Sequence, residues 1–151
     1  MADLALPATK LGPASPRAGR LLATFTISMS SESIKQDFES ALVKHFSFKA
    51  RLRSFLYGND SAQAPLRDPD QCSLGQWIAT RRQAAYAHVP EMRDLDREHR
   101  LIHKQANALM DLRLAGRQEE ALAGFQAVQQ QADQVVILLR TIEDKLRTAE
   151  A

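Results

Sequence analysis

Four histidines and one cysteine are the side chains of this chain suited to a borderline-soft metal ion. Three of those histidines fall on or beside positions where a buried hydrophobe is expected. His99 and His103 are four residues apart, so on a helix their imidazoles leave the same face about one turn from each other. His45 belongs to a different apolar stripe, and Cys72 ends a proline-containing loop at the start of another helix. Three imidazoles and a thiolate form a donor set that Zn(II) favours, in a tetrahedron with bonds of roughly 2.0 to 2.3 Å. Four protein ligands would close the coordination sphere, which is the structural rather than the hydrolytic pattern. Neutral imidazoles and one thiolate leave such a site with a net charge of about +1. A carboxylate or backbone carbonyl is therefore expected to hold the outer imidazole N–H groups. Asp96 and Glu98 are near in sequence, but neither is assigned that role. The competing reading is that His45, His99 and His103 are hydrogen-bonded core residues, as a lone histidine on an apolar face usually is. A single H-x-x-x-H spacing is common on helices; three such histidines plus the one cysteine favour a metal. His88 lies before Pro90, off every stripe, and reads as a loop residue.

The elements that must position these donors are helical. After Ser30 or Ser31 as a cap and Glu32 in the first turn, apolar positions run Ile34, Phe38, Ala41, His45, Phe48, Leu52, Phe55 in alternating steps of four and three. This predicts a helix ending at Gly58-Asn59-Asp60. Residues 58–71 read as a loop, from Gly58, Asn59, Asp60, Ser61, Pro65 and Pro69. A short second helix is expected from about Ser73 to Ala87, with Trp77, Ile78 and Ala84 or Ala85 inward and Arg81 and Arg82 at its solvent edge. Pro90 suits the first turn of a third helix, whose stripe is Met92, Leu95, His99, Ile102, Ala106, Leu109, with His103 adjoining and Gly116 as terminator. The fourth helix covers about Arg117 to Thr148, with the stripe Ala121, Phe125, Val128, Ala132, Val135, Leu139, Ile142, Leu146. Val136, Ile137 and Leu138 make its middle apolar almost all round, as for a helix with several neighbours or a second chain. No strand-like alternation competes. The expected fold is all-α, a four-helix bundle with a short second helix.

Residues 1–30 differ from the rest. They hold Pro7, Pro13, Pro16, Gly12 and Gly19, with Lys10, Arg17 and Arg20 ahead of the apolar stretch Leu21 to Ile27. Thr24 and Thr26 interrupt that stretch and no small-residue cleavage site follows, so a disordered tail is expected, or a natural start at Met29. The ordered domain is expected over residues 31–148. Twenty Lys+Arg against eighteen Asp+Glu give a formal charge of +2, too balanced for a nucleic-acid-binding face. One cysteine precludes an internal disulfide and suits a reducing compartment. No run of 18 apolar residues is present, so no membrane span is expected and the location is read as cytoplasmic.

The spacing of the donors adds a resemblance. His45-Phe46-Ser47-Phe48 is followed, after 23 residues, by Cys72-Ser73-Leu74-Gly75-Gln76-Trp77, and after another 21 by His99-Arg100-Leu101-Ile102-His103. This run resembles the chemoreceptor zinc-binding (CZB) domain family, whose signature is Hxx[W/F/Y/L], Cx[L/F/M/V/I]Gx[W/F/L/V/I] and HxxxH at similar gaps. Phe48 stands where many members carry Trp. The resemblance spans about residues 31–148 and implies that His45, Cys72, His99 and His103 bind one Zn2+, with Leu74, Gly75 and Trp77 shaping the cysteine-bearing turn. It further implies a helical bundle, commonly homodimeric, among cytoplasmic bacterial regulators mostly attached to chemoreceptor signalling regions or diguanylate cyclases. With no output domain after residue 151, the chain reads as a stand-alone member.

Two functions follow as expectations. The first is a sensor of zinc or of oxidants such as hypochlorous acid, signalling to a chemoreceptor or diguanylate cyclase partner through Cys72. The second is a zinc-stabilised helical adaptor that docks through the fourth helix. An enzyme is not expected: a zinc hydrolase needs an open coordination position and a general base, residues 99–103 are not HExxH, and the stripes carry no carboxylates for a di-iron site.

Overall fold

The computed structural model describes residues 29–149; the expectations for the tail before Met29 lie outside them. Helix α1 (Ser31–Leu56) starts where the Ser30 side chain accepts the Ser33 N–H, a cap that satisfies one free donor of the first turn. All seven positions of its stripe, from Ile34 to Phe55, are buried. Gly58, at φ +104°, turns the chain away. The loop expected over 58–71 contains a single helical turn, α2 (Ala64–Arg67). Pro65 suits the first turn of a helix, where its missing N–H has no partner to lose, so a proline read as a breaker is here a starter.

Helix α3 (Ser73–Gln83) is shorter than expected. Trp77 and Ile78 are buried as expected, but Ala84 and Ala85 lie past the helix end and are exposed. Tyr86 fills that part of the core instead. Nor does Arg81 run out to solvent: it pairs with Asp37 of α1. Helices α4 (Glu91–Leu114) and α5 (Gln118–Ala149) complete the chain, with Gly116 at φ +80° between them. Replacing Gly116 by Ala meets no neighbouring atom, so the cost is that of the left-handed backbone alone, about 1 kcal/mol. A fall of a few degrees in the melting midpoint, with zinc content unchanged, is the expected outcome.

The described residues are therefore all-α, with five helices rather than four and no strand. Helix α5 runs antiparallel to both α4 and α1: Lys145 meets Glu91 at one end, while Arg147 meets Ser31 and Gln118 meets the Leu56 carbonyl at opposite ends of α1. Helices α2 and α3 sit between α1 and α4 on another side. One buried cluster joins residues of all five helices, each fully buried Leu or Phe contributing about 1.5–3 kcal/mol. No helix among the described residues is long and apolar enough to cross a membrane.

Candidate metal centre

Among the described residues the core is apolar except for four: His45, His99, His103 and Glu143. Glu143 was missed by the periodicity, since it adjoins Ile142 of the α5 stripe. It is paired with Arg140 and Arg147 of its own helix, 3.4 and 3.7 Å away. Among the described residues the three histidines form no ion pair.

Helix α4 presents His99 and His103 from one face, as the four-residue spacing requires. Their Nε2 atoms are 3.1 Å apart, close to the about 3.3 Å expected between two nitrogens on one tetrahedral zinc ion. Cys72, buried at the N-terminus of α3, completes a group of three whose donor atoms all lie within 4.8 Å of one another. The positive end of the α3 dipole faces the charge that a liganding thiolate would carry. His45 is buried in α1 but lies outside that group; its Nε2–H donates to the Ala132 carbonyl of α5 at 3.1 Å. So the structure brings together Cys72, His99 and His103, with His45 adjacent and its Nδ1 left as the ring nitrogen with a lone pair.

Backbone carbonyls take the orienting role for which Asp96 and Glu98 were considered. His103 Nδ1–H donates to the Leu66 carbonyl at 2.8 Å. That bond fixes its tautomer and leaves the Nε2 lone pair aimed at His99, the arrangement found around metal-bound imidazoles. Asp96 instead binds Arg82 and Arg100, and Glu98 binds Gln131. The single turn of α2 exists in a position to supply Leu66. Arg67 donates to Asn107 and Asp111 of α4, and Asn107 returns a bond to the Arg67 carbonyl at 2.9 Å. Side chains one and two turns beyond His103 thus clamp the peptide that orients it.

The family-type motif residues also acquire reasons. Phe48, three residues after His45, lies with its ring centroid 4.7 Å from that of His103. Gly75 backs onto the Pro69 carbonyl and the His99 ring; a Cβ there would lie 3.0 Å from His99 Cε1 and inside the radius of Pro69 O. Trp77 packs edge-on against Phe38 and donates its indole N–H to Asp37. A cleft of about 20 Å³, lined by Lys44, Ser47, Phe48, Arg51, Pro65, Leu66, Cys72 and Ser73, is the opening beside the thiol.

Burial sets the protonation state. It pushes His45 down to about 4, helped by the Lys49 charge, against the opposing hydrogen bond to Ala132 and the Asp133 charge. It pushes His99 down to about 3, with His103 and His45 adding repulsion. His103 is lowered too, again chiefly by burial, although the Leu66 carbonyl works the other way. At neutral pH all three are therefore neutral, the form that can ligate a metal. The donors thus fit zinc on three counts: soft and imidazole ligands, donor atoms of Cys72, His99 and His103 that lie together, and histidines that are already neutral.

Residues 45–110 match the family model described as the chemoreceptor zinc-binding domain, a stretch that begins at His45 and contains Cys72, His99 and His103. No curated protein and no solved structure matches the chain.

Proposed function

We propose that this protein is a sensory module holding one Zn2+ through His45, Cys72, His99 and His103, a reading supported by the match of residues 45–110 to the chemoreceptor zinc-binding domain model. The observation that carries the ligand set is the pair of facing Nε2 atoms beside Cys72, with the outer nitrogen of His103 tied to Leu66. His103 already has the tautomer required. His99 would ligate through Nε2 with its proton on Nδ1. His45, whose Nε2–H is committed to Ala132, would complete the set through Nδ1. Bound zinc supplies a positive charge that keeps the Cys72 sulfur as thiolate and joins α3 to α4.

The signal is zinc occupancy or oxidation of Cys72. The thiolate displaces chloride from hypochlorous acid, giving a sulfenic acid and a chloride ion, and the soft anionic donor is lost. The segment from Ser73 onward is then released from α4, a change that a chemoreceptor or diguanylate cyclase partner reads in bacterial chemotaxis or cyclic-di-GMP signalling. Within this reading the module is cytoplasmic, homodimeric and without catalytic activity of its own. A four-donor buried site leaves no position for a substrate water.

A second reading is a zinc-stabilised adaptor. What favours it is Ile137 on α5, 56% exposed, flanked by half-buried Val136 and Leu138. Sensor and adaptor separate on whether zinc removal or Cys72 oxidation changes partner binding.

The test of the site is elemental analysis of purified protein beside two variants. Near one zinc per chain is expected for the parent and for His88→Ala. Cys72→Ala is expected to bind zinc weakly and to lose its response to hypochlorous acid at the same time. Loss of zinc in His88→Ala, or full retention in Cys72→Ala, would refute the ligand assignment.

A further inference from the structure

Helix α3 carries Cys72 at its N-terminus, yet it is only 11 residues long and buries only Leu74, Trp77 and Ile78 along its length. Isolated helices of that length are marginal, so the placement of α3 depends on what holds it at each end. Its far end is held differently. The Asp37 carboxylate of α1, 11% exposed, accepts from Trp77 Nε1 at 3.2 Å, from Arg81 Nε at 3.1 Å and Nη2 at 2.6 Å, and from the Tyr86 hydroxyl at 2.6 Å. Two of these donors belong to α3 and the third to the turn after it. Burial opposes ionisation of Asp37, but the bonds from Arg81, Tyr86 and Trp77 and the Arg81 charge outweigh it, so the carboxyl is held below its usual range. Tyr86 is correspondingly raised, by burial and by Asp37, and remains a donor. Four charge-assisted bonds converging on one carboxylate are far more directional than apolar packing.

We propose that Asp37 is a positioning residue for the metal ligand Cys72: it clamps the distal end of α3 and thereby sets where the sulfur lies relative to His99 and His103. The lever is long. Nine residues of helix from Cys72 to Arg81 span about 13 Å, so a tilt of about 4° at the clamp moves the sulfur by about 1 Å. Ligand constellations tolerate about 0.5 Å. Asp37 thus acts on metal affinity without approaching the metal. The inference rests on the assignment of Cys72 as a ligand.

The experiment is a chelator-competition zinc titration of the full chain, with Co(II) substitution to read the thiolate-to-metal absorption band. Asp37→Asn is expected to weaken zinc binding about tenfold and to reduce the cobalt band. Arg81→Gln is expected to do likewise, and the double variant to be no worse than the weaker-binding single one, because both remove one clamp. Ser30→Ala, which removes the α1 cap far from the site, is expected to lower the melting midpoint with zinc affinity unchanged. Folded Asp37→Asn with unchanged affinity and cobalt spectrum would overturn the proposal. Should Asp37→Asn not fold, Tyr86→Phe decides: about threefold weaker binding supports the clamp, and none refutes it. Cys72→Ser in the same titration keeps the two readings apart. If that variant binds as the parent does, the ligand assignment fails. If it binds weakly while Asp37→Asn does not, only the clamp fails.

Discussion

Gly75→Ala is expected to abolish zinc binding and to destabilise the fold by about 3 kcal/mol or more, the upper range for overpacking. The added Cβ would meet backbone, the Pro69 carbonyl group with its carbon at 2.9 Å, and the His99 ring at 3.0 Å. Neither can step aside cheaply. Pro69 belongs to the loop that delivers Cys72, and His99 is a proposed donor of the site, so any relief separates Cys72 from His99. Gly124→Ala provides the contrast. Its Cβ would meet Leu109 Cδ2 at 2.5 Å, but that atom is the end of a flexible side chain, and alanine gains about 1 kcal/mol in helix propensity. The second variant is expected to stay within about 1 kcal/mol of the parent and to keep its zinc. Thermal melts with elemental analysis read both. Equal behaviour of the two would show that close approach at Gly75 has no role in the site.

Stripping zinc with a chelator is expected to lower the melting midpoint by about 12–16 °C. Ligand at a thousand times its dissociation constant stabilises the folded state by about 4.1 kcal/mol, and a domain of this size shifts by about 3–4 °C per kcal/mol. The stabilisation is large because, without metal, two buried imidazoles and a thiol face one another with only one hydrogen bond between the rings. His103→Ala is expected to abolish the zinc-dependent shift. It also lowers the metal-free midpoint, because the buried Leu66 carbonyl loses its donor, at about 1–3 kcal/mol. A midpoint indifferent to chelator in the parent would refute zinc as a structural constraint.

Helices α1, α4 and α5 were legible because each repeats an apolar residue at the helical period, and the histidines stood out only against that background. His45 shows the method at work: it occupies a stripe position between Ala41 and Phe48 and is buried. What carried no signature was the backbone. The Leu66 and Ala132 carbonyls that hold two of the rings belong to residues whose side chains say nothing about hydrogen bonding. Long-range pairing was equally silent. Arg81 and Tyr86 reach Asp37 across 44 and 49 positions, and without that knowledge Arg81 is an ordinary surface arginine. Ala84 and Ala85 were misplaced for a local reason: the helix ends at Gln83, and no glycine or proline marks the stop. Pro69 and Gly75 illustrate the remaining gap. Their approach explains the glycine in the cysteine-bearing motif, but only once the loop is seen folded over α3.

The narrow cleft beside Cys72 makes the thiol a clock. Its volume of about 20 Å³ is close to that of a single water site. Cys72 is 3% exposed, so a bulky reagent such as glutathione or a maleimide needs this corner to open further than a small oxidant does. Labelling by a bulky reagent therefore counts the openings of this corner, and a small reagent does not. When reclosure outpaces labelling, the logarithm of the ratio of labelled rates in unfolded and folded protein gives the free energy of that local opening. Slow labelling of this kind also has a consequence for repair: a sulfenic acid formed inside the cleft waits for an opening before any large thiol can reduce it. If oxidation of Cys72 is the signal, as proposed, its onset and recovery run on separate timescales, the first set by chemistry and the second by breathing of the helices.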